Sequence, residues 1–279
     1  MTAINRDVRS LYLDLIRRNL TRYGFREQMP EAWPLRRRLL LKTVNKLARS
    51  HARRLAPSAP NAPQPSLARR ARDFGVDWPP EAETMIGMQR LTSLQRCVET
   101  VLDEDVPGDL IECGVWRGGA CILMRAVLAA YGDDTRCVWL ADSFAGLPRP
   151  DSANFKADKG IRLDLAKGIL GVSETEVRAN FQRYGLLDDQ VRFLPGWFKD
   201  TLHDAPINRI AVLRLDGDLY ESTIQALDAL YPRLSPGGFC IVDDYSVKAC
   251  RQAVTDYRAK YGVSAEIVDI DWTGVLWRK

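Results

Sequence analysis

The sequence predicts an α/β fold with a doubly wound, mostly parallel sheet, a closing antiparallel hairpin and a helical N-terminal extension. Apolar strand-like runs alternate with helix-patterned segments through five strands, which is typical of a parallel sheet covered by helices. One strand–helix–strand unit occupies Ile210–Tyr245, with glycines between its helix and its second strand. Two short strands, Ala265–Ile270 and Gly274–Trp277, follow as a hairpin.

Each predicted element has a local pattern. A helix capping box begins at Ser173, with Glu176 three residues later. The stretch Phe144–Gly171 is irregular, charged and too long for an ordinary connection, so we interpret it as a candidate lid. The expected strands are Asp109–Glu112, Arg136–Ala141, Val191–Leu194, Ile210–Leu215 and Phe239–Val242, and the expected helices are Gln89–Leu102, Ser173–Leu186, Glu221–Leu234 and Val247–Tyr261.

Residues 1–71 form a basic extension, and residues 72–279 form the main domain. Val8, Leu11, Leu15 and Ile16 recur at helical spacing, which favours a helix that docks on its own protein or on a second subunit. Contact with a membrane surface is the alternative for such a basic amphipathic segment. The proline-rich run 57–66 indicates an extended linker. The extra amphipathic material predicts a homo-oligomer.

Composition narrows the class of protein. Hydrophobic residues make up 46% and charged residues 27% of 279 residues, which is typical of a soluble globular protein. No run approaches the ~20 apolar residues that span a bilayer, and the N-terminus lacks the apolar h-region of a signal peptide. Six cysteines without C-x-x-C spacing suit a reducing cytoplasm better than a disulfide framework or a zinc site. Two histidines leave almost no material for a histidine-based triad or a histidine-rich metal centre. The net charge of +4 does not argue for nucleic acid.

Three carboxylates follow two neighbouring predicted strands. Asp216 ends the first strand, and Asp243 and Asp244 end the second. Because parallel strands end at the same edge of a sheet, these acids should converge where open α/β sheets bind ligands. Two charges about 4 Å apart cost roughly 4 kcal/mol at an effective dielectric near 20. A hard cation such as Mg²⁺ would offset that repulsion, whereas solvated acids or a helix cap at Asp218 are the plainer interpretation.

A second motif lies at the first strand-to-helix turn. Glu112-x-Gly114-x-x-x-Gly118 allows close approach of the backbone to a ligand, but its acid would repel a pyrophosphate. An acid can instead accept a hydrogen bond from an ammonium group, and S-adenosylmethionine carries one. Asp142, after the next strand, could bind ribose hydroxyls, and the Trp197 loop could cover an adenine. The alternatives are that the glycine motif is only a structural turn and that Trp197 is an ordinary core residue.

Several motifs together resemble the macrocin O-methyltransferase family, whose members methylate sugar hydroxyls on natural products. The resemblance covers roughly residues 72–279. Its motifs are Thr84-Met-Ile-Gly, Arg90-Leu, Leu110-Ile-Glu-Cys-Gly-Val-Trp-Arg-Gly-Gly119, Ala141-Asp-Ser-Phe-Ala-Gly-Leu-Pro148, Leu215-Asp-Gly-Asp-Leu-Tyr-Glu-Ser-Thr223 and Gly237-Gly-Phe-Cys-Ile-Val-Asp-Asp-Tyr245.

The resemblance implies a Rossmann-like methyltransferase that uses S-adenosylmethionine and Mg²⁺ on a small-molecule glycoside. It implies that Asp216, Asp243 and Asp244 hold the metal and that Asp216 also acts as the base. The cofactor-binding set expected from the motifs is Thr84, Met85, Glu112, Gly114, Gly118, Asp142, Ser143, Gly196 and Trp197. A nicotinamide-dependent oxidoreductase and a non-catalytic module that binds glycans or a membrane surface are the competing hypotheses.

Overall fold

A seven-stranded sheet forms the centre of the fold. The computed structural model describes residues 7–23, 67–76 and 79–279. The strands lie in the order β3-β2-β1-β4-β5-β7-β6 across the sheet. In chain order they are β1 (Asp109–Cys113), β2 (Val138–Asp142), β3 (Val191–Pro195), β4 (Ile210–Leu215), β5 (Leu234–Val242), β6 (Val268–Asp269) and β7 (Val275–Arg278).

The predicted fold class is confirmed. Strands β1 to β5 pair in parallel, while β7 runs antiparallel to β5 and β6 antiparallel to β7. The chain moves outward from β1 to β3 and then returns to place β4 on the other side of β1. The reversal between β1 and β4 is the topological switch point, where open α/β sheets bind ligands at the carboxyl ends of their strands.

Helices cover both faces of the sheet. Successive side chains of a strand point to opposite faces, so Leu110 packs in one core cluster and Ile111 in the other. The helices are α1 (Val8–Leu20), α2 (Leu67–Phe74), α3 (Met88–Asp103), α4 (Gly119–Tyr131), α5 (Lys167–Leu170), α6 (Glu174–Arg183), α7 (Phe198–Thr201), α8 (Tyr220–Leu230) and α9 (Lys248–Tyr261). Residues of α1, α3, α4 and α6 pack with Leu110, and residues of α8 and α9 pack with Ile111.

Three element boundaries differ from the prediction by several residues. Helix α8 ends at Leu230 rather than Leu234, because Pro232 lacks an N–H and the chain continues as a 3-10 turn over Tyr231–Arg233. Strand β5 therefore begins early and includes the glycines that were interpreted as a helix stop. The closing hairpin is shorter than predicted, since β6 is an exposed edge strand of two residues. The predicted capping box is observed, with the Ser173 hydroxyl accepting a hydrogen bond from the Glu176 N–H.

Helix α1 packs on the main fold through a face that matches the predicted stripe only at Ile16. Leu13, Ile16 and Leu20 are buried against α3 and α4, whereas Val8, Leu11 and Leu15 are exposed. The helix carries apolar residues on two sides, and the spacing rule alone did not identify the side that packs. The rest of the basic segment and the proline-rich linker lie outside the described residues. The division at residue 71 stays a prediction.

The cysteines provide a chemical test of this packing. Five of the six are buried, and only Cys137 is partly exposed. Burial raises the pKa of the Cys97 thiol to about 12 and also raises the pKa of Cys113. Because the thiolate is the reactive form, iodoacetamide should label Cys137 well before the other five, as measured by peptide mass mapping. All six should react after denaturation in urea. Rapid labelling of Cys97 in the native protein would contradict the packing.

Within residues 7–23, 67–76 and 79–279, no helix is both long enough and apolar enough to cross a bilayer.

Candidate active site

A cavity of about 260 Å³ opens at the carboxyl edge of the sheet, at the switch point. It collects residues from four strand ends, from the Phe144–Gly171 segment and from the start of α8. The lining residues include Met85, Gly114, Trp116, Asp142, Ser143, Leu147, Pro148, Leu170, Gly196, Trp197, Asp216, Asp218, Glu221, Ser222 and Gln225.

The three acids predicted to converge do so. Each of Asp216, Asp243 and Asp244 offers a carboxylate oxygen, and these oxygens lie within 4.8 Å of one another. The sheet places them, because the Asp216 N–H donates to the Cys113 carbonyl and the Asp243 N–H donates to the Leu215 carbonyl, each at 2.9 Å. The ladder thus continues one residue past β4 and β5. Rigid strand ends therefore hold the cluster.

A buried arginine neutralises part of this cluster. Arg214 is the one charged residue of β4 and is 1% exposed. Its guanidinium donates to Asp216 Oδ2 at 2.9 Å and also to Asp243 and Glu112. The negative charge of these acids holds the pKa of Arg214 well above its usual value, although burial opposes the charged form. Arg214 therefore stays protonated and orients three carboxylates at once.

Arg90 supports the same cluster from α3. Its guanidinium donates to Asp243, and its Nε donates to Asp271 Oδ2 at 3.0 Å. Arg90 and Asp243 are both buried. Asp243 is thus held between two arginines, whereas Arg214 is the single arginine that pairs with Asp216 within the described residues. The repulsion expected from the sequence is offset in part by the chain's own cations.

Asp218 and Asp244 have no arginine partner in the part of the chain that the structure describes. Asp244 Oδ2 accepts the Asp218 N–H at 3.0 Å. Burial and the neighbouring acids raise the pKa of Asp218 to about 7 and hold the pKa of Asp244 well above its usual value. Negative charge is therefore unfavourable here without a further cation. A set of carboxylate oxygens alone fits a hard divalent ion such as Mg²⁺.

Asp218 does not cap helix α8, contrary to one interpretation of its sequence position. Its backbone has a left-handed φ of +57°, and the N-cap residue of the helix is Leu219. The two first N–H groups of α8 donate instead to Asp158, a buried residue of the Phe144–Gly171 segment. This turn leaves the Asp218 carboxylate among the residues that line the cavity.

The turn after β1 carries the second group of predicted residues. Gly114 has a φ of +90°, and a Cβ on it would lie 1.9 Å from the Asp216 carbonyl oxygen. Asp142 Oδ2 accepts the Val115 N–H at 2.7 Å, and its Oδ1 accepts the Phe144 N–H at 2.8 Å. Burial nevertheless raises the pKa of Asp142. A carboxylate has about four acceptor positions, so Asp142 could accept a ligand hydroxyl in addition to these N–H groups and the Ser143 hydroxyl, which lies 3.5 Å from Oδ1.

The structure brings six of the nine predicted cofactor-binding residues to the cavity. They are Met85, Gly114, Asp142, Ser143, Gly196 and Trp197. Thr84, Glu112 and Gly118 are not among its lining residues. The Glu112 carboxylate is buried between Arg214 and the Cys121 thiol, and burial raises its pKa to about 7. A direct contact of Glu112 with a ligand stays a prediction.

Sequence reasoning missed Arg214, Asp158 and the cavity position of Asp218. Only Arg214 left a signal, since a single charge inside an otherwise apolar strand must find buried partners. Arg90 belongs to the Arg90-Leu motif of the family, but the sequence does not indicate its pairing with Asp243, which lies 153 positions away. Asp158 lies in the stretch with the weakest pattern.

Comparison with known proteins places this site in a family. The sequence model of the family described as Macrocin-O-methyltransferase (TylF) matches residues 9–279. This chain belongs to that family. The resemblance noted in the sequence is thereby confirmed, and the match also takes in helix α1.

Individual relatives support the same assignment. This chain is 52% identical over 272 residues to an 8-demethyl-8-(2,3-dimethoxy-alpha-L-rhamnosyl)-tetracenomycin-C 4'-O-methyltransferase from Streptomyces olivaceus, with 98% of this chain and 94% of that protein covered. It is 51% identical over 243 residues to a mycinamicin III 3''-O-methyltransferase from Micromonospora griseorubida, covering 86% and 94%. The solved structure of the O-methyltransferase NovP superposes with a TM-score of 0.81 at 44% identity, covering 97% and 99%.

These findings make the chain an O-methyltransferase. Membership of the TylF family implies S-adenosylmethionine as the methyl donor. It also favours methyl transfer over the oxidoreductase and the non-catalytic binding module that the sequence left open.

Proposed function

We propose that this chain methylates a hydroxyl group on the sugar of a small-molecule glycoside, at a Mg²⁺ site made by Asp216, Asp243 and Asp244. The observation that carries the proposal is the convergence of these three carboxylates beside the cavity that Asp142 and Gly114 line. The relatives described above include enzymes named for methylation of rhamnosyl-tetracenomycin and of mycinamicin, which supports a glycoside acceptor. Homo-oligomerisation and a cytoplasmic location stay predictions from the sequence.

The residues divide the chemistry between two ends of the cavity. A bound Mg²⁺ would supply Lewis-acid stabilisation of the negative charge that develops on the acceptor oxygen. Asp142 binds the ribose of the methyl donor, and Trp197 covers its base. The Phe144–Gly171 segment forms one wall and excludes water. Positioning of the two reactants then contributes most of the acceleration, because a sulfonium is already an activated donor.

Asp216 is proposed as the proton acceptor. Its Oδ2 takes the hydrogen bond from Arg214, which leaves Oδ1 for the metal or the proton. Burial and the neighbouring Asp243 raise the pKa of Asp216, and a bound Mg²⁺ would oppose that rise. Asp218 is a second candidate, because it lines the cavity and burial raises its pKa to about 7.

Metal binding can be tested without a turnover assay. A ligand that binds only the folded state at about a hundredfold excess over Kd stabilises it by about 2.7 kcal/mol, so Mg²⁺ should raise the thermal midpoint of the wild-type protein. Asp244→Asn should abolish this rise, because it removes one of three ligands. Asp189→Asn changes an exposed acid outside the cavity and should leave the rise intact. An Asp244→Asn protein that responds to Mg²⁺ like the wild type would refute the metal assignment.

Catalysis is tested by methyl transfer from S-adenosylmethionine to a panel of rhamnosyl and related deoxysugar glycosides. Asp216→Asn should lower kcat by about 10²–10⁴-fold, which is the range for loss of a general base. It should also weaken the thermal response to Mg²⁺. If Asp218→Asn loses as much activity while it keeps that response, the base is Asp218 rather than Asp216. Full activity of Asp216→Asn would contradict the proposed mechanism.

A further inference from the structure

The segment Phe144–Gly171 is fastened to helix α8 by one carboxylate. Asp158 ends a 3-10 turn of this segment and is 0% exposed. Its Oδ1 accepts the Tyr220 N–H at 2.7 Å, and its Oδ2 accepts the Glu221 N–H at 3.0 Å. Both oxygens therefore serve the first turn of α8. A buried carboxylate that accepts two backbone N–H groups makes strong, directional contacts.

This contact replaces a cap that α8 does not have. The N-cap residue, Leu219, has no side chain able to accept a hydrogen bond, so the first N–H groups of the helix need an external acceptor. Asp158 supplies it from 62 residues away, and its negative charge suits the positive end of the helix. Helix α8 follows directly on the turn that contains Asp216 and Asp218. The cap thus connects the segment to the acidic turn.

Two further contacts secure the segment. The ring of Phe155 lies against that of Tyr220, with centroids 6.0 Å apart. Near the C-terminal end of the segment, the Trp116 indole N–H donates to the Ile169 carbonyl at 2.9 Å, and Ile169 is buried. Trp116 itself lines the cavity. The segment is therefore held at its middle and near its C-terminal end.

The joined elements both contribute to the walls of the cavity. The segment contributes Leu147, Pro148 and Leu170, and α8 contributes Glu221, Ser222 and Gln225. We propose that Asp158 is a positioning residue that holds these walls together and so shapes the acceptor end of the cavity. Asp158 is not among the residues that line the cavity, so in this proposal it acts through α8. The inference deepens the proposed function, since it concerns the acceptor of that same site.

The test uses Asp158→Ala, Asp158→Asn and the control Asp164→Asn in the full chain. Asp164 lies in the same segment, and its carboxylate forms an ion pair with Arg162, two residues away, rather than with α8. Loss of both cap hydrogen bonds should raise KM for the glycoside by about tenfold in Asp158→Ala, with a smaller rise in Asp158→Asn, which retains one acceptor oxygen. The KM for S-adenosylmethionine and kcat should change much less. If Asp158 only stabilises the fold, its substitution should lower the thermal midpoint and the active fraction. It should not raise KM for the glycoside more than KM for S-adenosylmethionine.

Limited trypsinolysis gives a second readout that does not depend on activity. Cleavage within the segment should be about tenfold faster in Asp158→Ala than in Asp164→Asn, because the open form is more populated. The available sites are Lys156, Lys159, Arg162 and Lys167. Equal cleavage rates, or a fall in kcat at unchanged acceptor KM, would overturn the inference. Absence of methyl transfer to every glycoside in the wild type would refute the proposed function, and the cleavage comparison would still decide the role of Asp158.

Discussion

Replacing Arg214 with methionine is expected to destabilise the protein by about 3–5 kcal/mol, the range for removing one partner of a buried ion pair. Arg214 is 1% exposed and donates to Glu112, Asp216 and Asp243, so its loss leaves three carboxylates without their shared cation. Urea denaturation at pH 8 measures the change. We expect no methyl transfer from the folded fraction, because two of the acids are proposed metal ligands.

The loss should shrink as the pH falls. Burial already raises the pKa of Glu112 to about 7, and removal of Arg214 would raise it further. A carboxyl whose pKa is higher in the folded state binds protons more tightly there, so acidification from pH 8 towards pH 5 stabilises the folded variant relative to the unfolded chain. Arg162→Met is the control, since Arg162 is exposed and its one ion pair among the described residues is with Asp164. A loss in Arg214→Met no larger than in that control would contradict the assigned role of Arg214.

The substitution Gly114→Ala is expected to cost about 3 kcal/mol or more, from backbone strain and overpacking together. The φ of Gly114 is +90°, and a Cβ would lie 1.9 Å from the carbonyl oxygen of Asp216. The backbone must therefore move at Asp216, one of the three proposed metal ligands. We expect activity and the thermal response to Mg²⁺ to be lost together, as measured on the folded protein below its unfolding transition.

Gly132→Ala provides the matched control for this effect. Gly132 also has a positive φ, +71°, but a Cβ there would meet no heavy atom within 4 Å. Its replacement should cost only the left-handed strain of about 1–2 kcal/mol and leave activity unchanged. The difference between the two variants isolates the close approach of β1 to the acidic turn. Equal losses of stability and activity would show that the close approach does not matter.

The order of strands and helices was predictable because its signals are local. An apolar run such as Ile210–Leu215 needs no knowledge of the rest of the chain to be recognised as a buried strand. Parallel pairing then follows from the length of the connecting helix, and it brings Asp216 to the same edge as Asp243 and Asp244. The convergence of these acids was therefore available from pattern and topology together.

Partners joined across long stretches of chain were not predictable. Arg214 meets Glu112 across 102 residues, Arg90 meets Asp243 across 153, and Asp158 caps a helix 62 residues away. The sequence also offered two apolar stripes on α1, and only packing against α3 and α4 selected Leu13, Ile16 and Leu20.

The sequence by itself determined the α/β architecture, the family and the edge of the sheet at which the acids meet. The tertiary structure decided how those acids are neutralised and which of them lack an arginine partner within the described residues. It also decided how the covering segment is attached. The physical reason is that hydrophobic periodicity is a property of neighbouring residues, whereas the solvation and pairing of a buried charge depend on every group that folding brings within a few ångströms of it.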